Sequence, residues 1–220
     1  MSGDTVALVA SFAYVFAAIG VAEGLRRWCG YTVEFTRKVI HVCVGMWAYG
    51  TVWLFDRRAL AVIPPLCFVA INAVSYLHGT FAAMETGEKS RLGTVYFPIS
   101  FSVIILLLWD RPHLMVASLM PMTWGDALAS VVGRRVGRRT YTCAGTTRSL
   151  EGSVVFFAAS WVATAVPLAV LGQASLGTAE AAAVAAATAA GSAVVEAVSP
   201  WGIDNLSVPA ISALILTLLL

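Results

Sequence analysis

The chain has 220 residues, of which 59% are hydrophobic and 12% charged, and its mean hydropathy is +0.83. A soluble globular domain carries about 25% charged residues, and a net charge of +2 is too small for a nucleic-acid-binding surface, so both classes are excluded. In lipid, only helices and closed barrels satisfy every backbone polar group. The apolar stretches run well past the roughly 10 residues of a barrel strand. The composition predicts an all-α, polytopic transmembrane helical bundle.

Eight apolar segments follow in chain order, at about 5–24, 39–55, 59–77, 93–109, 114–132, 151–171, 179–198 and 206–220, so the bundle has about seven or eight helices. The first reads as a spanning helix and not as a signal peptide, because its basic residues Arg26 and Arg27 follow it. Pro64, Pro65, Pro98, Pro121 and Pro209 are expected to kink or end helices. The alanine-rich segment 179–198 reads as a packing helix in the middle of the bundle, and the last segment is short for a full crossing. No soluble domain of useful size fits between the segments, so residues 1–220 form a single integral membrane domain. Cys29, Cys43, Cys67 and Cys143 show no metal or redox spacing and read as small hydrophobes or incidental thiols.

The basic residues orient the bundle. With the loop after the first segment in the cytoplasm, inner loops hold Arg26, Arg27, Arg37, Lys38, Lys89, Arg91, Arg134, Arg135, Arg138, Arg139 and Arg148, and outer loops hold only Arg57, Arg58 and Arg111. That asymmetry places the N-terminus outside. Every polar cluster then falls on the cytoplasmic face: Arg37-Lys38 with His41, Glu88 with Arg91, Asp126, Arg148 with Glu151, and Glu196 with Asp204-Asn205. A polar site open to the cytoplasm is the economical explanation.

Asp126 stands in an otherwise apolar run, Leu114 to Val132, where a carboxylate costs about 3 kcal/mol on insertion scales. It heads a face of small residues, Gly125, Ala129, Gly133 and Gly137, spaced four apart. Such a face either packs a neighbouring helix or lets a phosphate chain approach the backbone, with Asp126 on a magnesium ion. Arg148 precedes a helix start at which Ser149 could cap and Glu151 favours the positive end, a ready anion site. Lys38 and His41 can converge with Arg37 near one helix end. Asp204-Asn205 is either a turn with a cap or a pair of metal ligands. Glu23 with Arg26 and Arg27 is a plain ion pair. The chain lacks a P-loop, the soluble protein-kinase motifs, G-x-S-x-G and H-E-x-x-H.

Five motifs occur in order: Arg37-Lys38-x-x-His41, Glu88 to Tyr96, Gly125-Asp126-Ala127-x-Ala129-Ser130-x-x-Gly133-Arg134-x-x-Gly137, Arg148-Ser149-x-Glu151-Gly152-Ser153, and Asp204-Asn205-Leu206-x-x-Pro209. Together they resemble the polyprenol kinase family (dolichol kinase, phytol kinase and CTP-dependent diacylglycerol kinase), itself similar to phosphatidate cytidylyltransferase. The resemblance covers about residues 37 to 210. It implies phosphoryl transfer from a nucleoside triphosphate, typically CTP, to a lipid alcohol, with a divalent metal such as Mg²⁺. One departure is that Arg148 stands where the family usually has lysine.

The resemblance implies catalytic roles for Asp126, Arg148, Glu151, Lys38 and His41. It implies nucleotide contacts from Gly125, Ser130, Gly133, Arg134, Gly137, Arg138, Ser149 and Gly152, and substrate contacts from Glu88, Arg91, Thr94, Tyr96 and Glu196. Asp126, Asp204 and Asn205 are the expected metal ligands, and Glu151, His41 and Glu196 the alternatives for a base. The rival readings are a CTP:lipid-phosphate cytidylyltransferase, a prenyl-monophosphate kinase and, from another class, a small ion-coupled transporter. The lipid alcohol and the oligomeric state stay open.

Overall fold

A computed structural model describes residues 3–78, 92–172 and 176–220. Eight helical rods run back and forth. They are α1 (Gly3–Cys29), α2 (Val33–Leu54), α3 with α4 (Arg58–Ala61, Ile63–His78), α5 (Gly93–Leu108), α6 continuing into α7 (Pro112–Met120, Asp126–Val136), α8 (Leu150–Val170), α9 (Thr178–Val198) and α10 (Asp204–Leu219). Five of these rods are long and apolar enough to cross a membrane. Helix α2 is 22 residues long and carries charge only in its first two turns and a histidine just beyond.

The segments expected from hydropathy coincide with these rods to within about six residues, because each is one continuous apolar run. Pro64 and Pro65 sit in the first turn of α4, where the missing N–H costs nothing. Pro98 and Pro209 are carried inside α5 and α10. Pro121 does something more specific. It opens a π-helical turn, Pro121–Gly125, that joins α6 to α7, and the Asp126 N–H bonds back five residues to the Pro121 carbonyl. The extra residue rotates everything after it by about 100° around the helix axis, which sets the direction in which Asp126 leaves the rod.

This α6–α7 rod is the centre of the bundle. Its spanning window is 61% buried, against 28 to 39% for the other spans. The expectation of a central alanine helix is therefore corrected. Helix α9 packs on α8 and α10 through Ala181, Ala185, Thr188, Ala189 and Ser192, and its other side, with Val194, faces outward. Small residues let it approach closely on one side; they do not require a central position.

The run from Gly133 to Arg148, expected as an arginine-rich loop, contains structure. Helix α7 continues to Val136, and Gly137 closes it with an N–H bond to the Gly133 carbonyl. Strands β1 (Thr140–Cys143) and β2 (Thr146–Ser149) then form an antiparallel hairpin. Its two turn residues, Ala144 and Gly145, both have positive φ, 49° and 77°, as a two-residue hairpin turn matching the strand twist demands. The Tyr141 and Ser153 hydroxyls, 2.7 Å apart, tie the hairpin to α8.

Candidate functional site

The small-residue face of α7 meets the start of α8. Cβ atoms added to Gly125 would strike Ser160, and on Gly137 they would strike Ser149. Gly133 and Gly152 face each other so closely that a Cβ on Gly152 would lie 3.5 Å from the Gly133 Cα. Gly125 and Gly137, expected to contact nucleotide, are packing contacts and do not line the cavity. Gly133 and Gly152 serve both ends: they bring the two helices together and also line the cavity.

That cavity, about 700 Å³, lies inside the bundle and has two parts. One end is charged. Lys38, near the start of α2, ion-pairs with Asp126 across 88 residues of sequence. His41, one turn further along α2, donates from Nε2 to the Met122 carbonyl in the π turn at 2.9 Å and lies 3.8 Å from the Asp126 carboxylate. Beside them, Arg148 donates from Nε to Glu196 at 2.5 Å and from Nη2 to the Ser199 carbonyl at 3.2 Å and to Asp204 at 3.4 Å. Arg148 is only 13% exposed, yet its Nη1 has no hydrogen-bond partner among the described residues. Asp126, Glu196 and Asp204 are close enough to feel one another's charge. Arg37 and Arg134 add positive charge to the same wall, with Arg134 bonded to Ser130 at 3.0 Å.

Local chemistry explains how the chain delivers these groups. The hydroxyl of Thr32 caps α2, accepting from the Phe35 N–H, and Ser149 caps α8, accepting from Gly152 at 3.1 Å. Asp204 begins α10 and accepts from the Asn205 N–H at 2.9 Å and from its side-chain amide at 3.0 Å. Gly202, at φ +85°, permits the tight turn before α10 and touches the start of α5: a Cβ there would sit 2.9 Å from the Gly93 N–H nitrogen. Asn72 bonds the Thr94 carbonyl at 2.7 Å and closes the site on the α4 side.

The second part is an apolar slot. It continues from the charged end between α1, α2, α4 and α5, where Val15, Ile19, Val44, Trp47, Phe68 and Phe101 line it. His41 belongs to both parts, since its ring packs on Phe97 with centroids 4.2 Å apart.

Of the remaining expected residues, Ser130, Arg134, Ser149, Thr94, Glu196, Asp204 and Asn205 line the cavity, and Tyr96 is half-buried and does not. Glu88 and Arg91 lie outside the described residues. Glu151 and Arg138 sit on the outer side of the bundle beside Val132 and Val136. There the Glu151 carboxylate accepts from the Arg139 N–H at 3.3 Å and braces the hairpin base. The helix phase turns Glu151 outward as Gly152 turns inward, so neither Glu151 nor Arg138 reaches the cavity. Asn72, Trp47 and Ser199 were not singled out from the sequence. An amide inside the apolar segment 59–77 was the visible signal for Asn72; Trp47 looked like any other apolar residue.

The donor chemistry suits magnesium: Asp126, Asp204, Asn205 and Glu196 offer hard oxygens. Among the described residues, no three His, Cys, Asp or Glu side chains form a ready cage, and each carboxylate is already held by Lys38 or Arg148. This fits an ion bound by one or two carboxylates together with substrate phosphates.

The chain is 32% identical to the phytol kinase of Synechocystis over 205 residues, covering 92% of this chain and 86% of that one. It is 27% identical to a probable chloroplastic phytol kinase 2 of Glycine max, covering 84% and 65%, and 30% identical to a probable chloroplastic phytol kinase of Triticum aestivum, covering 47% and 39%. No family model matches the chain, and no solved structure matches it.

Proposed function

The chain belongs to the polyprenol kinase family, alongside its phytol kinases, and from that premise we propose that it moves a phosphoryl group from CTP to the hydroxyl of phytol or a similar isoprenoid alcohol. The observation that carries this reading is the two-part cavity, in which an apolar slot opens directly onto a charged cluster. The slot takes the isoprenoid tail and leaves the hydroxyl beside His41 and Asp126. CTP as the donor rests on the family resemblance. The same charged face is the cytoplasmic one by the distribution of basic residues, so the nucleotide enters from the cytoplasm.

Phosphoryl transfer has a loose transition state, in which positioning and charge compensation supply most of the rate. Arg148 Nη1, without a partner among the described residues, can donate to a phosphate oxygen, and Arg134, Arg37 and Lys38 add positive charge around the triphosphate. Asp126, Asp204 and Asn205 would hold Mg²⁺, which when bound neutralises phosphate charge. The alcohol oxygen bonds to the terminal phosphorus, the bridging oxygen leaves with CDP, and the hydroxyl proton is released. Of the three carboxyl or imidazole candidates for that proton, Glu151 lies outside the cavity and Glu196 is engaged by Arg148. His41 touches both slot and charged end. In the neutral imidazole, donation from Nε2 to a carbonyl leaves the other nitrogen unprotonated and able to accept.

Purified protein would be given CTP, ATP, GTP or UTP with phytol, geranylgeraniol or diacylglycerol, and both products weighed by mass spectrometry. CDP and an isoprenoid monophosphate are expected. Release of diphosphate with a CDP-lipid would instead identify a cytidylyltransferase.

A further inference from the structure

The slot is blind. From the charged end it follows α2 through Lys38, His41, Val44 and Trp47 to Thr51, and follows α5 from Thr94 to Ile105. There it ends at Thr51, Ala61 and Ile105, each 3% exposed or less. Behind them stands packed core: Ala7, Phe55, Val62 and Leu108 are all buried. Beyond that core the opposite end of the bundle is closed by Asp4, which accepts from Arg57 at 2.6 Å and from the Asp56 N–H at 2.9 Å. The slot wall is fixed as well. Trp47 stacks on Tyr14, with centroids 4.6 Å apart, and donates to Ser11 at 3.0 Å.

A blind slot of fixed wall has a length. Thr51 stands ten residues beyond His41, where the hydroxyl lies, and Ile105 eleven beyond Thr94. At 1.5 Å per helical residue these are about 15 to 17 Å. Three chain bonds advance an extended backbone by about 3.5 Å, so the four chain bonds of an isoprene unit advance about 4.5 Å. The slot therefore matches about four units.

We propose that Thr51, Ala61 and Ile105 form the floor of a chain-length ruler that admits an isoprenoid alcohol of about four isoprene units and rejects longer ones. The proposal rests on the reading of the slot as the tail site. A chain longer than the slot cannot place its hydroxyl at the charged end while its tail stays buried. A shorter one reaches the charged end but leaves apolar wall uncovered and binds less tightly.

The test is a series of prenols of two, three, four and eleven units, offered with CTP to the wild type, Ala61→Phe and Ile105→Ala. Relative kcat/KM along the series is read together with thermal stabilisation of the protein by each alcohol. In the wild type, both are expected to peak at four units. Ala61→Phe raises the floor and should move the peak to three units, lowering kcat/KM for the four-unit alcohol by about tenfold while sparing the shorter ones. Ile105→Ala deepens the slot and should narrow the gap between four units and eleven; it also keeps the test decisive if Ala61→Phe does not fold. An unchanged length profile in a folded variant overturns the ruler, as does a wild type that takes eleven units as well as four. If no alcohol is phosphorylated but thermal stabilisation still peaks at four units and shifts with the variants, the ruler stands and the kinase reading fails.

Discussion

Asp126 and Lys38 are each about nine-tenths buried, and a buried ion pair responds differently to losing one partner and to losing both. Asp126→Asn is expected to lower phosphorylation at least about 100-fold. It also leaves Lys38 unpaired, a destabilisation of about 3 kcal/mol. Combining it with Lys38→Met removes both charges and should restore much of that stability but none of the activity. Unfolding curves and turnover measured on the single and double variants separate the two effects; full activity in Asp126→Asn would remove its assigned role. Arg148 is a different case, because one guanidinium spans Glu196, Ser199 and Asp204. Arg148→Lys keeps the charge that the family usually supplies with lysine, but an ammonium cannot reproduce that fork. We expect about a tenfold loss of turnover. A wild-type rate would show that charge alone suffices at this position.

Among the elements, the α7–α8 contact is the one that aligns the two halves of the charged end. It packs Gly133 and Gly137, on the helix that Asp126 begins, against the Ser149 cap that follows Arg148. Gly152→Leu would place a branched side chain where a single Cβ already lies 3.0 Å from Ser149 and 3.3 Å from the Ala129 carbonyl. It should lower the thermal unfolding midpoint in detergent clearly, whereas Val154→Leu, on the outward face at 67% exposure, should leave it unchanged. The glycine spacing was visible in the sequence, and so was the choice between helix packing and phosphate approach. The structure divides that choice by position: Gly125 and Gly137 pack, and Gly133 and Gly152 pack and also line the cavity. Hairpin β1–β2 is only faintly written in the sequence, as β-branched Thr140, Thr142, Thr146 and Thr147 on either side of Ala144-Gly145. Two short strands give a weak periodic signal.

For the whole molecule, the loop charges predict that the charged end faces the cytoplasm. The native thiols test this. Cys29, exposed at the end of α1, and Cys143, in the hairpin, lie at the charged end, whereas Cys43 and Cys67 lie within helices. A membrane-impermeant maleimide should label Cys29 and Cys143 in inverted vesicles and spare them in right-side-out vesicles. The reverse pattern would overturn the orientation drawn from the loop charges. The deep end of the slot also bears on the transporter alternative: among the described residues, packed core and the Asp4–Arg57 pair stand between the cavity and the far side.

The sequence by itself determined the class of molecule, the number and bounds of the helical rods and the residues that gather at one end. Each of these follows from local content, from apolar runs of membrane length and from charges at their ends. The tertiary structure alone decided which of those residues meet. Lys38 reaches Asp126 only because α2 lies against the central rod and the π turn at Pro121 rotates Asp126 toward it. Glu151 leaves the site because one residue of helix phase carries it to the other side of α8. The apolar slot is likewise invisible to hydropathy: a residue lining a cavity and one packed in a core are equally hydrophobic, and only the arrangement of four helices around empty space tells them apart.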